Sequence, residues 1–399
     1  MVTYPQDWKK MQLKDLGIIK MCRRIFQSQT QESGAIPFYK ISTFGGHADA
    51  FISRKIFEEY KEKYPYPDKG DVLISAAGTI GKTVVFDGKE SYFQDSNIVW
   101  LSVDSNLIDN QFLLWFYRHS PWRALEGTTI KRLYNNIILN TKIHLPSLEE
   151  QKAIAKNLSA FDIHIDNLTA LIEKKKAIRD GALADLMSGR TRLAGFSGKW
   201  DDVPIENISM QMVDGPFGSD LKTEHYIDAK EARVIQLSNI GDNGWNDENT
   251  KYTSFSHAEK LNRCIAYPGE LLIAKMMPAG RAIICPDKEK MYIISSDVVR
   301  VILKNGIDSR FIVYSTKGSY YINQIAENTQ GSTRQRTSIR KLKKIKLMLP
   351  EYEEQKKIAD ILTSMDEEIQ NLEKERDKMM QIREGAMDDL LTGRVRLPM

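Results

Sequence analysis

Residues Leu145 to Leu193 align without a gap on Leu349 to Leu397, with 24 identities in 49 positions. An offset of 204 residues in a chain of 399 means two copies of one module, each a globular segment followed by a long helix. Such a chain folds as two halves. It is a pseudo-dimer on one polypeptide, suited to a target with two related but unequal faces.

The helices are well signalled. Each copy opens on a proline, Pro146 or Pro350, followed by an acidic first turn (Glu149, Glu150; Glu351, Glu353, Glu354) that complements the positive end of a helix dipole. Leu158, Phe161, Ile165, Leu168 and Ile172 then recur at spacings of three and four, with Leu362, Met365, Ile369 and Leu372 at matching places, which is a heptad seam. The stripe is expected to shift to Ile178, Ala182, Leu186 and to Ile382, Ala386, Leu390, before Gly189 and Gly393 stop each helix. Gly181 and Gly385 interrupt the helices at a cost of about 1 kcal/mol each, and permit a close crossing or a partner's approach, or are tolerated weak spots.

Connectivity implies that the two helices, if they pack on each other, run antiparallel with the globular segments at opposite ends of a rod. The alternative is two separate amphipathic helices, each packed on its own segment. Arg376, which stands where the first copy has Ile172, supports that alternative. The fold class is α+β: an antiparallel coiled coil carrying two β-rich segments, with boundaries expected at 1–145 (first globular segment), 146–192 (first long helix), 193–348 (second globular segment) and 349–399 (second long helix).

The globular segments are related more faintly. Phe38 to Ser42 aligns with Val234 to Ser238, Gly70 to Ser75 with Gly269 to Ala274, and Asn97 to Leu101 with Asp297 to Val301. Short β-rich runs broken by Gly, Pro and Asn precede an apolar helix near Gln111 to Tyr117 and Arg310 to Thr316. Divergence here beside identity in the helices suggests helices that do one job twice and globular parts that do two different jobs.

Several chemistries find little footing. Ala76 to Thr83 satisfies a relaxed phosphate-loop pattern, but such a loop must open a helix, and Thr83-Val84-Val85-Phe86-Asp87-Gly88 reads as a β-run ending in a turn. The second copy lacks the Lys-Ser/Thr pair. A hairpin whose basic residue, Lys82 or Arg281, lies near a backbone or a phosphate is the preferred reading. Three cysteines without CxxC spacing argue against a disulfide framework or structural zinc, so no metal site is expected. The six histidines are scattered, with His144 and His164 lacking counterparts in the second copy. No catalytic residue is nominated. No segment approaches the roughly 20 apolar residues of a membrane span, and the opening residues carry no apolar signal core, so a cytoplasmic protein is expected.

Net charge is only +4, so an argument for a polyanion partner rests on where the charge sits. Arg334, Arg336, Arg340, Lys341, Lys343, Lys344 and Lys346 follow a polar turn at Thr329 to Thr333, and the first copy has Gly127 to Arg132 at the same place ahead of its long helix. Lys and Arg neutralise phosphates, whereas Arg, Gln and Asn read base edges. A solvated helix face would also be basic.

The repeated Gly-Ser/Thr-Thr turn with a basic residue, then Leu-Pro, Glu-Glu-Gln-Lys-x-Ile-Ala and a long helix ending Ser/Thr-Gly-Arg, resembles the specificity subunit of type I restriction-modification enzymes. The segments Gly70 to Ser75 and Gly78 to Lys82, and Asp214 to Ser219 with Leu221-Lys222, are similar to the target recognition domains of that family. The chain departs from the pattern at Met276-Met277-Pro278 and at Met21-Cys22-Arg23-Arg24. The resemblance implies a non-catalytic DNA-recognition subunit whose two target recognition domains each read one half of a split, asymmetric double-stranded site. The helical pair would set the gap and dock two methyltransferase subunits. It implies no cofactor in this chain, with S-adenosylmethionine, ATP and Mg belonging to the methyltransferase and motor-nuclease (restriction) subunits.

By position, the residues expected at the first half-site are Lys40, Ser42, Lys82, Thr129, Lys131 and Arg132. Those expected at the second are Ser219, Lys222, Gln236, Ser238, Asn239, Arg281, Ser332, Arg334 and Arg336. Glu149, Glu150, Gln151, Glu353, Glu354 and Gln355 are candidate docking points on the helix flanks, a structural cap being the alternative. A dimer-like protein-interaction scaffold without DNA binding, and an NTPase using Lys82, are the competing readings.

Overall fold

The computed structural model describes residues 4–120, 122, 132–329 and 336–398. It divides into two compact units: residues 1–169 with 374–399, and residues 170–373. Each unit therefore contains one β-rich head, part of one long helix and the complementary part of the other. Both helices form as expected, at Leu148–Met187 and Tyr352–Thr392, which at about 1.5 Å per residue makes each roughly 60 Å long.

In the first unit, strands Gly17–Lys20, Ile98–Val103, Val72–Ser75 and Thr83–Val85 lie side by side in that order, all antiparallel. A second sheet joins Thr30–Gln31, Phe51–Ile52, Ile36–Tyr39 and Tyr92–Phe93, the last two parallel. One core, with Leu73, Trp100, Phe38 and Tyr92 fully or nearly buried, fills the space between these sheets. The other lies between the first sheet and helix Asn110–His119, whose N-cap Asp109 accepts hydrogen bonds from Gln111 N and Phe112 N. Ile154, Ala155 and Leu158 of the first long helix, with Leu390 and Leu391 of the second, complete this core. Truncating a side chain of this kind to alanine costs about 2–5 kcal/mol.

The second unit repeats the plan. Ser209–Asp214, Val298–Leu303, Leu271–Ala274 and Ala282–Ile284 form the first sheet, and a five-stranded sheet holds Ala232–Ile235 between Tyr252–Thr253 and Tyr292–Ile294. Helix Ser309–Ser315 is capped by Asp308 as its counterpart is by Asp109. Leu186 and Met187 of the first long helix meet Ile358, Ala359 and Leu362 of the second in this unit's core.

The helices pack on each other and run antiparallel. In the first unit Asp162 pairs with Arg383 at 2.7 Å, while Ile154 and Leu158 share a core with Leu390 and Leu391. In the second unit Lys175 pairs with Glu368 and Arg179 with Asp366, at 2.6 and 2.8 Å. Later residues of one helix thus meet earlier residues of the other. The expected seam residues Leu158, Ile165, Leu168, Ile172, Leu362 and Ile369 are buried. Arg376 breaks the apolar stripe only locally, turning its guanidinium to Asp377.

Two details differ from expectation. Ile178 and Ile382 are 49% and 42% exposed, whereas Ala182, Leu186, Ala386 and Leu390 pack into the cores as expected, joined by Leu183 and Met187 in the first helix and Met387 and Leu391 in the second. Gly181 and Gly385 mark no close crossing among the described residues, none of which a Cβ added at either would meet within 4 Å, and this leaves a partner's approach or a tolerated weak spot. Gly189 and Gly393 do end the helices, each at positive φ, and a Cβ on Gly393 would strike Pro5 at 2.5 Å.

Candidate nucleic-acid interface

Each head gathers its irregular segments around one hairpin. In the first, Val72–Ser75 and Thr83–Val85 pair in register, so the segment after Lys82 is a strand and not the helix that a phosphate loop requires. The hairpin turn closes through Gly81 N donating to Ser75 O at 3.0 Å and Lys82 N to Ser75 Oγ at 2.9 Å. Lys82 Nζ reaches across to donate to the carbonyl of Phe44, within the turn that begins at Lys40. Ser42 is exposed on that turn, and Lys40 pairs with Asp49 at 2.8 Å.

Arg132 borders the hairpin from the other side. It bridges Ala77, Leu133 N donates to Ala76 O at 2.7 Å, and Arg132 Nη2 donates to Ser96 O at 2.7 Å. The structure thus brings Lys40, Ser42, Lys82 and Arg132 to one loop cluster. Gln94 joins them, its Oε1 accepting from Ile41 N at 2.9 Å, and Arg24 donates to the neighbouring Asp95. Thr129 and Lys131 lie outside the described residues.

The second head rebuilds the cluster with other side chains. Arg281 takes the place of Lys82, donating to Ile240 O at 2.8 Å and pairing with Asp242 at 2.7 Å. Arg336 bridges Met276 as Arg132 bridges Ala77, and pairs with Asp297 at 2.7 Å. Gln236 and Ser238 fall where the first head has Lys40 and Ser42. Ser332 and Arg334 lie outside the described residues. Ser219 and Lys222 are exposed on a separate loop, tied to the head where His257 Nε2 meets Asp220 O at 2.8 Å. No hydrogen bond or ion pair among the described residues joins those two to the hairpin cluster.

Asn239 departs from expectation. It is fully buried, its Oδ1 accepting from Gln236 N and its Nδ2 donating to Asn246 O and Glu248 O at 2.9 and 2.8 Å. Both amide hydrogens and the carbonyl oxygen are engaged within the loop, and burial leaves no edge for a base.

The docking candidates need a larger correction. Glu150, Gln151, Glu354 and Gln355 are buried, not exposed on the helix flanks. Gln151 accepts from Asp109 N at 2.9 Å and donates to Leu107 O and Pro146 O, both at 3.1 Å, and Gln355 does the same for Asp308 N and Pro350 O. Glu354 receives Arg192 at two points and Trp200 Nε1 at 3.2 Å, while Glu150 receives Arg396. The Glu-Glu-Gln motif is thus a fastener between helix start and head, with only Glu149 and Glu353 exposed.

Beside the expected Lys82 and Arg281, a groove in each unit carries further cations that sequence reasoning missed, Arg118 and Arg383 in one and Arg179 and Lys317 in the other, set among acidic residues. Lys82, Arg118, Asp162 and Arg383 line one of about 660 Å³, and Arg281, Lys317 and Arg179 line its counterpart of about 400 Å³ in the other unit. Burial pushes the Lys317 ammonium below the usual lysine range. The repeated cation of Tyr-Arg-His and Thr-Lys-Gly after the apolar helix was the available signal.

Other chemistry has little to build on. Cys22, Cys264 and Cys285 are free and buried, and burial pushes the Cys22 and Cys285 thiols up to about 12, away from reactivity. Among the described residues no group of His, Cys, Asp and Glu is placed to hold a metal ion, and no helix is long and apolar enough to cross a membrane.

Comparison with known proteins gives a consistent picture. The profile of the type I restriction modification DNA specificity domain matches residues 5–177 and 230–379. A putative type I restriction enzyme specificity subunit of Haemophilus influenzae is 52% identical over 161 residues, a match spanning 40% of this chain and 42% of that protein's length. The MjaVIII specificity subunit of Methanocaldococcus jannaschii is 24% identical over 98% of this chain and 94% of its own. In fold, the chain is similar to the crystal structure of a type I S subunit from M. genitalium, with a TM-score of 0.61 at 18% identity over 100% of this chain and 98% of that one. A chain from a structure of type I complex assembly and conformational transition gives 0.60 at 14% identity over 98% and 100%.

Proposed function

This chain belongs to the type I restriction-modification DNA specificity family, whose specificity subunit is the non-catalytic component that addresses the enzyme to DNA, and from that premise we propose that its two heads read the two unlike halves of one split double-stranded site. One observation carries the proposal. The same hairpin-centred cluster occurs in both heads, with Lys40, Ser42, Lys82 and Arg132 in one and Gln236, Ser238, Arg281 and Arg336 in the other. Conserved scaffolding with changed side chains is what two readers of different sequence require. Thr129, Lys131, Ser332 and Arg334 extend the two clusters by sequence, and Ser219 and Lys222 add a second contact loop to the later head.

The four-part division at 1–145, 146–192, 193–348 and 349–399 then separates two readers from two spacers. The helical pair sets the gap between half-sites and docks two methyltransferase subunits through its exposed flanks. Glu149, Glu353, Ile178 and Ile382 stand on those flanks. S-adenosylmethionine, ATP and Mg enter with the methyltransferase and motor-nuclease subunits.

The test uses the full chain assembled with its methyltransferase partner and a randomised duplex library. Lys40→Ala is expected to relax or weaken selection in one half of the recovered site and Gln236→Ala in the other, each by about 1–3 kcal/mol at the affected position. Recovery of no preferred sequence, or an equal response of both halves to each substitution, overturns the reading in favour of a scaffold without DNA recognition.

A further inference from the structure

Arg233 sits at the centre of the five-stranded sheet in the second head, with Tyr252 as its register partner on one side and Tyr292 on the other. Its side chain is 1% exposed. The guanidinium carbon lies 5.5 Å from the Tyr252 ring centroid and 5.9 Å from that of Trp245, and Trp245 meets Tyr292 edge-on at 5.7 Å. Aromatic rings thus lie close around the cation. Its two terminal nitrogens, Nη1 and Nη2, have no hydrogen-bond partner among the described residues.

A buried guanidinium with both outer nitrogens unpaired is costly, so a partner is called for. The neighbouring acids supply no hydrogen bond, although Asp247 is close enough to feel the charge of Arg233. Asp247 is engaged by Lys288 and by Trp245 Nε1, the latter at 2.6 Å, and Glu289 accepts from the Tyr252 hydroxyl at 3.3 Å. Arg233 instead lines a cavity of about 250 Å³ with Lys230, Lys288, Trp245, Thr250 and Tyr252. Lys230 is exposed at its rim and has no acidic partner among the described residues.

We propose that this cavity is an oxyanion site of the phosphate type, with the guanidinium edge of Arg233 as its floor and Lys230 at its mouth. Two parallel N–H donors in one plane match two oxygens of a phosphate, a geometry that a lysine cannot reproduce. Lys230, Arg233 and Lys288 outnumber Asp247 and Glu289 by one charge, which leaves the cavity cationic. The feature belongs to the second head alone. By strand register Pro37 stands opposite Phe51 in the first head where the second has Arg233 opposite Tyr252, so the buried guanidinium has no counterpart at that place. The site stands on its own geometry and does not depend on the reading of the two hairpin clusters.

Inorganic phosphate titrated calorimetrically into the full chain, at constant ionic strength in chloride, is expected to reveal one site. Arg233→Lys should weaken it at least tenfold, and Lys230→Gln a few-fold with an unchanged melting temperature, so the surface variant keeps the proposal testable if the buried one fails to fold. Duplex titrations across a salt series separate the two sources of phosphate. If a DNA phosphate occupies the cavity, Lys230→Gln lowers the slope of log K against log salt by about one, alike for all sequences, and Arg233→Lys, which keeps the charge, weakens duplex binding at every salt concentration. If a free phosphate or mononucleotide occupies it, the slope is unchanged, while phosphate or dAMP stabilises the unmodified chain and not the variants. Absence of phosphate binding in the unmodified chain, together with an unchanged salt slope, overturns the proposal and leaves Arg233 a purely structural cation. Loss of sequence selection with phosphate binding intact would sink the reading of the heads and spare this site.

Discussion

Arg396 and Glu150, 246 residues apart, form a two-point ion pair with Nη2 and Oε2 2.7 Å apart, and Arg192 repeats it on Glu354 at 2.6 Å. In each case the arginine follows the end of one long helix and the glutamate begins the other. Two motifs that look in sequence like separate repeats, Gly-Arg-x-Arg-Leu and Glu-Glu-Gln, are partners exchanged between copies. Only antiparallel helices allow that exchange. Asp7 shares Arg396 at 3.0 Å, and the guanidinium holds its carboxyl below the usual range.

Removing one partner of these pairs strands a buried carboxylate, which is worse than removing both. Arg192→Ala is therefore expected to lower the melting temperature by several degrees, and the double variant Arg192→Ala with Glu354→Met to recover part of the loss. Gln151→Ala, which unmakes three hydrogen bonds of a buried side chain, should cost about 1–3 kcal/mol in a urea titration. Glu149→Ala and Glu353→Ala, at exposed positions, should fall within about 0.5 kcal/mol of the parent. Equal effects from exposed and buried members would contradict the fastener assignment.

Gly181 and Gly385 occupy exposed helix interiors with open space around the missing Cβ. Gly181→Ala and Gly385→Ala should each stabilise the isolated chain by about 0.5–1 kcal/mol, since alanine loses less backbone entropy and nothing is crowded. A methyltransferase partner that approaches these faces closely would reverse the sign for the complex. Chemical denaturation of the chain and affinity for the partner, measured on the same variants, read the two effects apart.

His144 stacks on Tyr4, ring centroids 3.6 Å apart, and lies across a strand pair from Lys10. Burial first, and then the charge of Lys10, push its pKa below the usual value of about 6.5. The unfolded chain then takes up a proton before the folded one, so this residue's contribution is present above about pH 6.5 and is lost as pH falls through the folded value. His144→Phe should flatten that part of the pH dependence in urea midpoints between about pH 7.5 and pH 5. An unchanged slope would mean that the ring titrates as freely in the fold as out of it.

The sequence alone determined what depends on neighbours in the chain. The 204-residue period, the proline-acid helix starts, the glycine stops and the heptad spacing of Leu158 to Ile172 are local signals, because a helix is capped and given its apolar stripe by residues within a few positions of one another. Equivalent positions in the two heads can be paired for the same reason, as Lys82 is with Arg281.

Tertiary structure alone decided which polar residues remain available. Glu150, Gln151, Glu354 and Gln355 look like an exposed acidic turn, yet each is buried with at least one partner that comes from 42 to 246 residues away. Asn239 is spent within its own loop, and Arg233 is one charged residue in a strand until Tyr252 and Tyr292 arrive on either side of it. Burial and hydrogen-bond satisfaction are properties of the packed chain, set by contacts between distant segments that no local pattern encodes.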